Sequence, residues 1–434
     1  MKVYQISFFY GGIVGLLLSS TANSFELAAS LYTNTEYSNN ASRTSTATDD
    51  DITQNLGLNV SLKEKRKRFN ADANFNLEEE HYYNNTFSSQ TSLTTGFGIF
   101  NFDIIENFLN WRTSFTRTEV LKSLTVSDTP DNREQRNIFR TGPSITYRVS
   151  RESTLNASTN YTLVENSGEE AADTKRLNSK LSYNYALNNS TSLSLSSQYD
   201  ELLDGDGGEE FKKTNFNLGI HRVLPQGELD FNYGHSHTRS DDSDSVNGNF
   251  FDLSLSRKKL LWHDFVLQYQ QDISDTSIGF ESDEQNSEMP SESGISSEGV
   301  VTGLDVITRK RLNLAVNRVL GVYQYSVAGL WEYEVYKTLN NDKKSRGVSL
   351  NLSQNISQYL SVGTDYTFLL NDFIGQPLIG KDKISTYRLN SQHILSENLN
   401  LSAHLQYAVR SNSQNQAREY EELAIGLGLT WNIY

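Results

Sequence analysis

Apolar side chains in this chain recur at every second position. Between Phe69 and Glu78 one phase reads Phe69, Ala71, Ala73, Phe75, Leu77 and the other Asn70, Asp72, Asn74, Asn76, Glu78. A period of two describes a strand with one apolar and one polar face. The same split runs through residues 177–187, 251–255, 323–335 and 399–409, whereas helical spacing is hard to find. A heptamer that starts on leucine and ends on tyrosine recurs as Leu155 to Tyr161, Leu193 to Tyr199, Leu360 to Tyr366 and Leu401 to Tyr407, each tyrosine continuing the apolar phase.

The alternating segments number about 20 (range about 18–22), each near the 10-residue length of a membrane β-strand. Their connections take turns in length. Short ones include 150–152, 188–190, 224–227, 356–359 and 396–398. Long polar ones include 38–51, 119–134, 164–174, 200–212, 238–248, 336–346, 370–383 and 411–420, the longest being 274–308. This predicts an all-β fold, a transmembrane antiparallel up-and-down β-barrel over residues 25–434, with tight periplasmic turns and long extracellular loops. Each heptamer follows a short turn, so its tyrosine falls near the outer membrane surface. Tyr161, Tyr199, Tyr233, Tyr269, Tyr333, Tyr366 and Tyr407 are therefore expected to form an outer aromatic girdle. A soluble β-sandwich of this length would need several domains with visible linkers, and a solenoid would need a regular short repeat. Neither is found.

Four prolines (Pro130, Pro225, Pro290, Pro377) fall in proposed connections, where a missing N–H harms no ladder. Pro143 lies inside an expected strand, Phe139 to Val149, and predicts a bulge or a late strand start at Ser144.

Composition supports the barrel. Only 36% of the residues are hydrophobic and mean hydropathy is -0.54, lean for conventional buried cores. The absence of cysteine removes disulfides and thiolate metal sites and suits an oxidising compartment. A net charge of -15 without a long basic stripe excludes a general nucleic-acid binder; the dense run from Lys63 to Arg68 is expected to be a solvated turn. Lys2, an apolar stretch from Phe8 to Leu18, and the small residues Ala22 and Ser24 predict a cleaved secretory signal peptide over residues 1–24.

Three stretches resemble the outer-membrane β-barrel proteins associated with the PEP-CTERM/exosortase system: Trp111 to Phe115, Thr141 to Val149 with its following hairpin, and Leu253 to Arg257 leading into Phe265 to Tyr269. The likeness covers most of the mature chain as hairpin grammar. It implies a Gram-negative outer-membrane location and a role in exopolysaccharide export or surface assembly, and it supplies no catalytic residues. In the last strand Leu423, Ile425, Leu427, Leu429, Trp431 and Ile433 share the apolar phase while Tyr434 falls in the other, shifting the usual terminal aromatic by one position.

A barrel this wide has a wet or plugged lumen. Asn70, Asp72, Asn74, Asn76, Arg112, Arg140, Arg148, Asn178, Lys180, Arg388, Asn390 and Gln392 are expected to face inward. They either line a pore or hydrogen-bond across the barrel and close it. The connection 274–308 either folds inward as a constriction or projects outside. Chemistry is sparse. His235 and His237 share a strand face without an evident third metal ligand. The acidic runs Asp204 to Glu210 and Asp241 to Asp244 match no complete calcium loop and are expected to be solvated. His404 near Ser402 is a poor nucleophile and base pair. No cofactor, metal site or enzymatic activity is expected. The expected role is a porin-like channel, serving exopolysaccharide export or surface assembly; the alternative is a structural or surface-binding barrel whose acidic loops engage polysaccharide or envelope partners. Expected partners are outer-membrane lipid and lipopolysaccharide, the barrel-assembly machinery and polysaccharide-export components.

Overall fold

The computed structural model describes residues 25–433, apart from 46–48, 123–126, 169–172, 206–210, 241–242, 261–262, 276–304, 338–341 and 375–379. The expected signal peptide, most of the first acidic run, half of the second, most of the longest connection, Pro290, Pro377 and Tyr434 lie outside the described residues. Twenty strands run in chain order: β1 (Phe25–Ser38), β2 (Asp51–Lys65), β3 (Phe69–Tyr82), β4 (Gln90–Ile105) and β5 (Leu109–Leu121) come first. Then follow β6 (Arg133–Arg148), β7 (Ser153–Asn166), β8 (Thr174–Asn188), β9 (Thr191–Gly205) and β10 (Phe211–Leu224). The third quarter is β11 (Gly227–Ser240), β12 (Ser243–Leu260), β13 (His263–Asp275), β14 (Val306–Leu320) and β15 (Tyr323–Tyr336). The last five are β16 (Lys343–Asn355), β17 (Leu360–Phe373), β18 (Lys381–Ser396), β19 (Leu399–Asn412) and β20 (Tyr420–Asn432).

Every strand pairs antiparallel with its sequence neighbours, and β1 pairs with β20 from Ser30 opposite Asn432 to Ser38 opposite Ala424. That last ladder closes the sheet and leaves no unpaired edge, the condition for a β-structure to sit in hydrocarbon. No described helix is long and apolar enough to cross a membrane, which says nothing against crossing by strands.

The apolar phase points outward. Leu181, Leu195, Leu218 and Leu427 are each more than half exposed, with Leu218 at 63%. Such a belt of bare leucine is untenable in water and expected against lipid. All seven tyrosines of the expected girdle lie on this face, and Tyr387 joins them: its ring bridges Tyr366 and Tyr407 on the flanking strands, with centroids 4.6 and 6.5 Å away. Tyr147, Tyr185, Tyr323 and Trp431, also outward and exposed, form a second belt near the short turns.

Two expectations are corrected. Pro143 produces neither a bulge nor a late start: β6 runs unbroken, and its register against β7 is the same at Thr141 opposite Tyr161 and at Ser144 opposite Ser158, with only the intervening pairs missing. Gly142 makes this affordable. A Cβ there would lie 1.9 Å from the Thr159 carbonyl oxygen, so the two backbones close up beside the proline only because no side chain intervenes. The expected long loop 238–248 is mostly strand, β11 reaching Ser240 and β12 starting at Ser243. Above the tyrosines both faces are polar, so the alternation that reveals a strand is lost there although the ladder continues.

The basic run from Lys63 to Arg68 spans the end of β2 and the turn to β3; Arg66 Nε pairs with Glu64 at 2.5 Å and Lys67 Nζ with Glu106 at 3.0 Å.

Candidate functional site: the barrel lumen

The polar phase faces the interior, and the register places all twelve of the expected lumen residues on that face. Burial along it is graded. Asn70, Arg112 and Arg148 near the short turns, and Lys180 and Arg388 beside the tyrosine girdle, are exposed, whereas the inner positions beyond the girdle are buried on most strands. On β18 the inner face passes from exposed Gln392 and Arg388, through half-buried Thr386 and Ile384, to Asp382 at 0% exposure. The interior is a cup, open at the short-turn end and filled at the loop end.

Three kinds of contact fill it. The first is paired charge. Arg410 and Arg418 meet Asp382 Oδ2 at 2.6 and 2.7 Å, Arg176 meets Asp200 at 3.0 Å, and Lys343 meets Glu334 at 3.5 Å. Charges this deep persist only when paired, because desolvation of a lone ion costs several kcal/mol. The second is apolar. Ile138 packs on Val164, and Leu330 on Leu369 beside Ile384, all from inner positions. These side chains interrupt the polar phase close to the long connections, a signal present in the sequence but masked by the dominant alternation.

The third is the end of the β13–β14 hairpin, which leaves the wall. β12 and β13 stay paired up to Phe251 opposite Gln271 and no further along that ladder. Beyond it Ile273 packs with Val306, Leu202, Phe211 and Val246, and sits over the inner face of Gly248, whose absent Cβ would lie 2.6 Å from Ile273 Cδ1. Lys213 anchors the turn inward through Asp272 at 3.0 Å and through the Ile273 carbonyl. The flanks of the longest connection thus fold into the lumen.

Above this layer three connections meet across the mouth. Arg43, between β1 and β2, donates to Glu422 at 3.0 Å and to the Asp128 carbonyl at 2.7 Å; Ser127 Oγ donates to the Arg43 carbonyl at 2.9 Å and lies 3.5 Å from that of Ala417. The β5–β6 connection therefore reaches over three strands to the barrel seam.

In the open half, polar side chains lie flat against the wall wherever a neighbouring strand offers glycine. Tyr32 lies across Gly57 to reach Asn76 at 3.0 Å and Glu78, and Asn390 leans over Gly363 to meet Asp365 at 2.7 Å. His404 Nε2 is 2.8 Å from Glu36, and Ser402 Oγ is 3.4 Å from the Gly428 carbonyl, so histidine and serine face different partners. His235 and His237 face outward, their Nδ1 atoms 3.4 and 2.6 Å from Asn249 and Asn247. Among the described residues no group of three metal-binding side chains converges.

No protein-family model matches this sequence, and no curated protein does. Among solved structures it is similar to the siderophore receptor PirA from Acinetobacter baumannii, at 9% identity over 95% of this chain and 81% of that one, with a TM-score of 0.51. It is also similar to a mutant of the ferric enterobactin receptor PfeA from Pseudomonas aeruginosa, at 8% identity over 95% and 81% of the two chains, TM-score 0.50. OccD3 (OpdP) from Pseudomonas aeruginosa matches at 12% identity over 96% and 98%, TM-score 0.37. At such identities the likeness to the two receptors concerns fold: the chain has the architecture of Gram-negative outer-membrane barrels.

Proposed function

We propose that the protein is a gated, porin-like conduit for hydrophilic solutes in the outer membrane, held closed at its extracellular end in this state. The graded burial of the inner face carries the proposal: a polar vestibule opens toward the periplasm and ends against a layer of paired charges and a few apolar contacts. A purely structural barrel has no need of a solvated, hydroxyl-rich and amide-rich half-lumen. The exopolysaccharide association suggested by the sequence resemblance fits a hydroxyl-bearing cargo and belongs to this proposal, as does cleavage of residues 1–24 on the way to the membrane.

The layer's weakest part is the apolar contact between the inward hairpin and the wall. Replacing Phe211, Ile273 and Leu202 by alanine removes that contact while leaving the ladders intact. In planar bilayers the wild-type barrel is expected to open rarely, and the triple variant to conduct several-fold more often. A variant as silent as the wild type would favour the second reading, a structural or surface-binding barrel, which the closed outer mouth also accommodates.

A further inference from the structure

The inner face of β5–β8 differs in charge from the rest of the open half. Arg148 stands at the short-turn end of β6, Arg112 and Lys180 stand further up on β5 and β8, and Arg140 lies eight residues above Arg148 on β6, at the tyrosine level. The inner positions of β5, β7 and β8 carry no carboxylate, and β6 carries only Glu134, at its far, buried end. Arg112, Arg148 and Lys180 are exposed, and among the described residues none has an ion-pair or side-chain hydrogen-bond partner. Several inner carboxylates elsewhere in the open half are engaged, Asp230 by His221 at 2.6 Å, Glu36 by His404 at 2.8 Å, Asp365 by Asn390 at 2.7 Å and Asp103 on the neighbouring β4 by Asn110 at 2.9 Å, while Asp72 lies apart on β3. Between the cations the wall presents Asn110, Ser144, Asn156, Ser158, Asn160 and Asn178, and no aromatic ring.

We infer that this wall is a binding track for an acidic saccharide, its carboxylates taken in turn by Arg148, Arg112 and Lys180 and its hydroxyls by the amides and hydroxyls between them. Guanidinium groups match carboxylates in charge and fork geometry, and a half-lumen screened from bulk solvent on one side strengthens that attraction. The intervening serines and asparagines donate and accept, which suits sugar hydroxyls and gives no purchase to an apolar ligand. This track rests on the conduit reading only for its purpose; binding itself requires no passage.

Titration calorimetry on the detergent-solubilised barrel, with trigalacturonate as probe and maltotriose as its neutral counterpart, tests the track at about 0.15 M salt. Trigalacturonate is expected to bind at least about tenfold more tightly than maltotriose, and the variant Arg112→Gln/Arg148→Gln/Lys180→Gln to lose at least about tenfold in trigalacturonate affinity. Arg388→Gln, which removes an inner-face cation on the distant β18, is expected to leave affinity unchanged. Folding of each variant is checked by heat-modifiable electrophoretic mobility. Equal affinity for the neutral trisaccharide, an unaffected triple variant that is folded, or an equal loss in Arg388→Gln overturns the inference. Absent binding by a barrel that conducts sinks the track alone, and binding by a barrel that never conducts sinks the conduit alone.

Discussion

His404 and Glu36 meet across the seam of the barrel, Nε2 to carboxylate oxygen at 2.8 Å, because the strand between them carries Gly426 at their shared register level. A Cβ on Gly426 would lie 2.2 Å from the His404 ring, so the contact exists only over a residue without a side chain. It ties β19 to β1 over β20, where the two chain ends of the sheet are joined by a ladder of nine pairs.

Gly426→Ala is accordingly expected to push the imidazole off the wall and break this hydrogen bond, costing about 1 kcal/mol. The temperature at which the compact electrophoretic band converts to the unfolded one should fall, while His404→Ala in the Gly426→Ala background should cost little more. Additive losses in the double variant would show that the two residues act separately.

Adjacent residues on β9 separate the lipid face from the lumen. Leu195 is 53% exposed on the apolar side and Ser196 faces inward. Leu195→Arg places a charge in hydrocarbon and is expected to destabilise the barrel by about 2–4 kcal/mol, whereas Ser196→Arg is expected to be near neutral. Urea unfolding in phospholipid vesicles measures both, and the reverse ranking would invert the assignment of faces.

The buried cluster at Asp382 makes a sharper demand. Asp382 accepts from Arg410 and Arg418 and from the Asn412 amide, and all three charged side chains are essentially inaccessible. Removing its charge by Asp382→Asn strands two guanidiniums and is expected to cost about 3–5 kcal/mol. The unfolding midpoint reads this, and replacing Arg410 by methionine in the same chain should recover part of the loss.

The loop crossing is expected to be acid-sensitive at Asp128, which lies in the β5–β6 connection outside the spanning strands. Burial by itself would push its carboxyl up, but the hydrogen bond and charge of Arg133, with Arg43 and Arg410 behind it, hold it below its ordinary value of 3.8. A group depressed in the folded state adds stability that is complete above its ordinary value and is lost as pH falls through the folded one. Spin labels on Ser42→Cys and Asp131→Cys should therefore report one narrow distance from pH 8 down to about pH 4, broadening only in stronger acid. The Asp128→Asn variant should broaden it already at neutral pH, and an unchanged distribution would show that the crossing does not depend on this charge.

Much of the architecture was legible along the chain because a barrel wall is a two-phase object. A side chain in a closed sheet has only lipid or lumen to face, so period two alone assigns the face of Leu193, Tyr199, Asn74 and Arg148. The alternation of short and long connections then separates the two ends of the barrel. The twenty strands and the tyrosine row followed from those local rules.

What happens inside the barrel did not follow, for the same physical reason. Phase says that Ile273 belongs to the outward set of β13, yet the hairpin end leaves β12 and carries it over Gly248 into the lumen. Nor does phase say that Arg43 would reach Asp128 across the mouth, that Asp382 would sit between two arginines from β19 and its connection, or that Pro143 would be absorbed by a neighbouring glycine. These contacts join residues far apart in sequence, and their existence depends on barrel circumference and strand tilt. The sequence by itself determined which side of the wall a residue occupies wherever its strand stays paired on both sides, because that is a local choice between two solvents. Only the tertiary structure decided how far the lumen stays open, because that depends on which side chains meet across it.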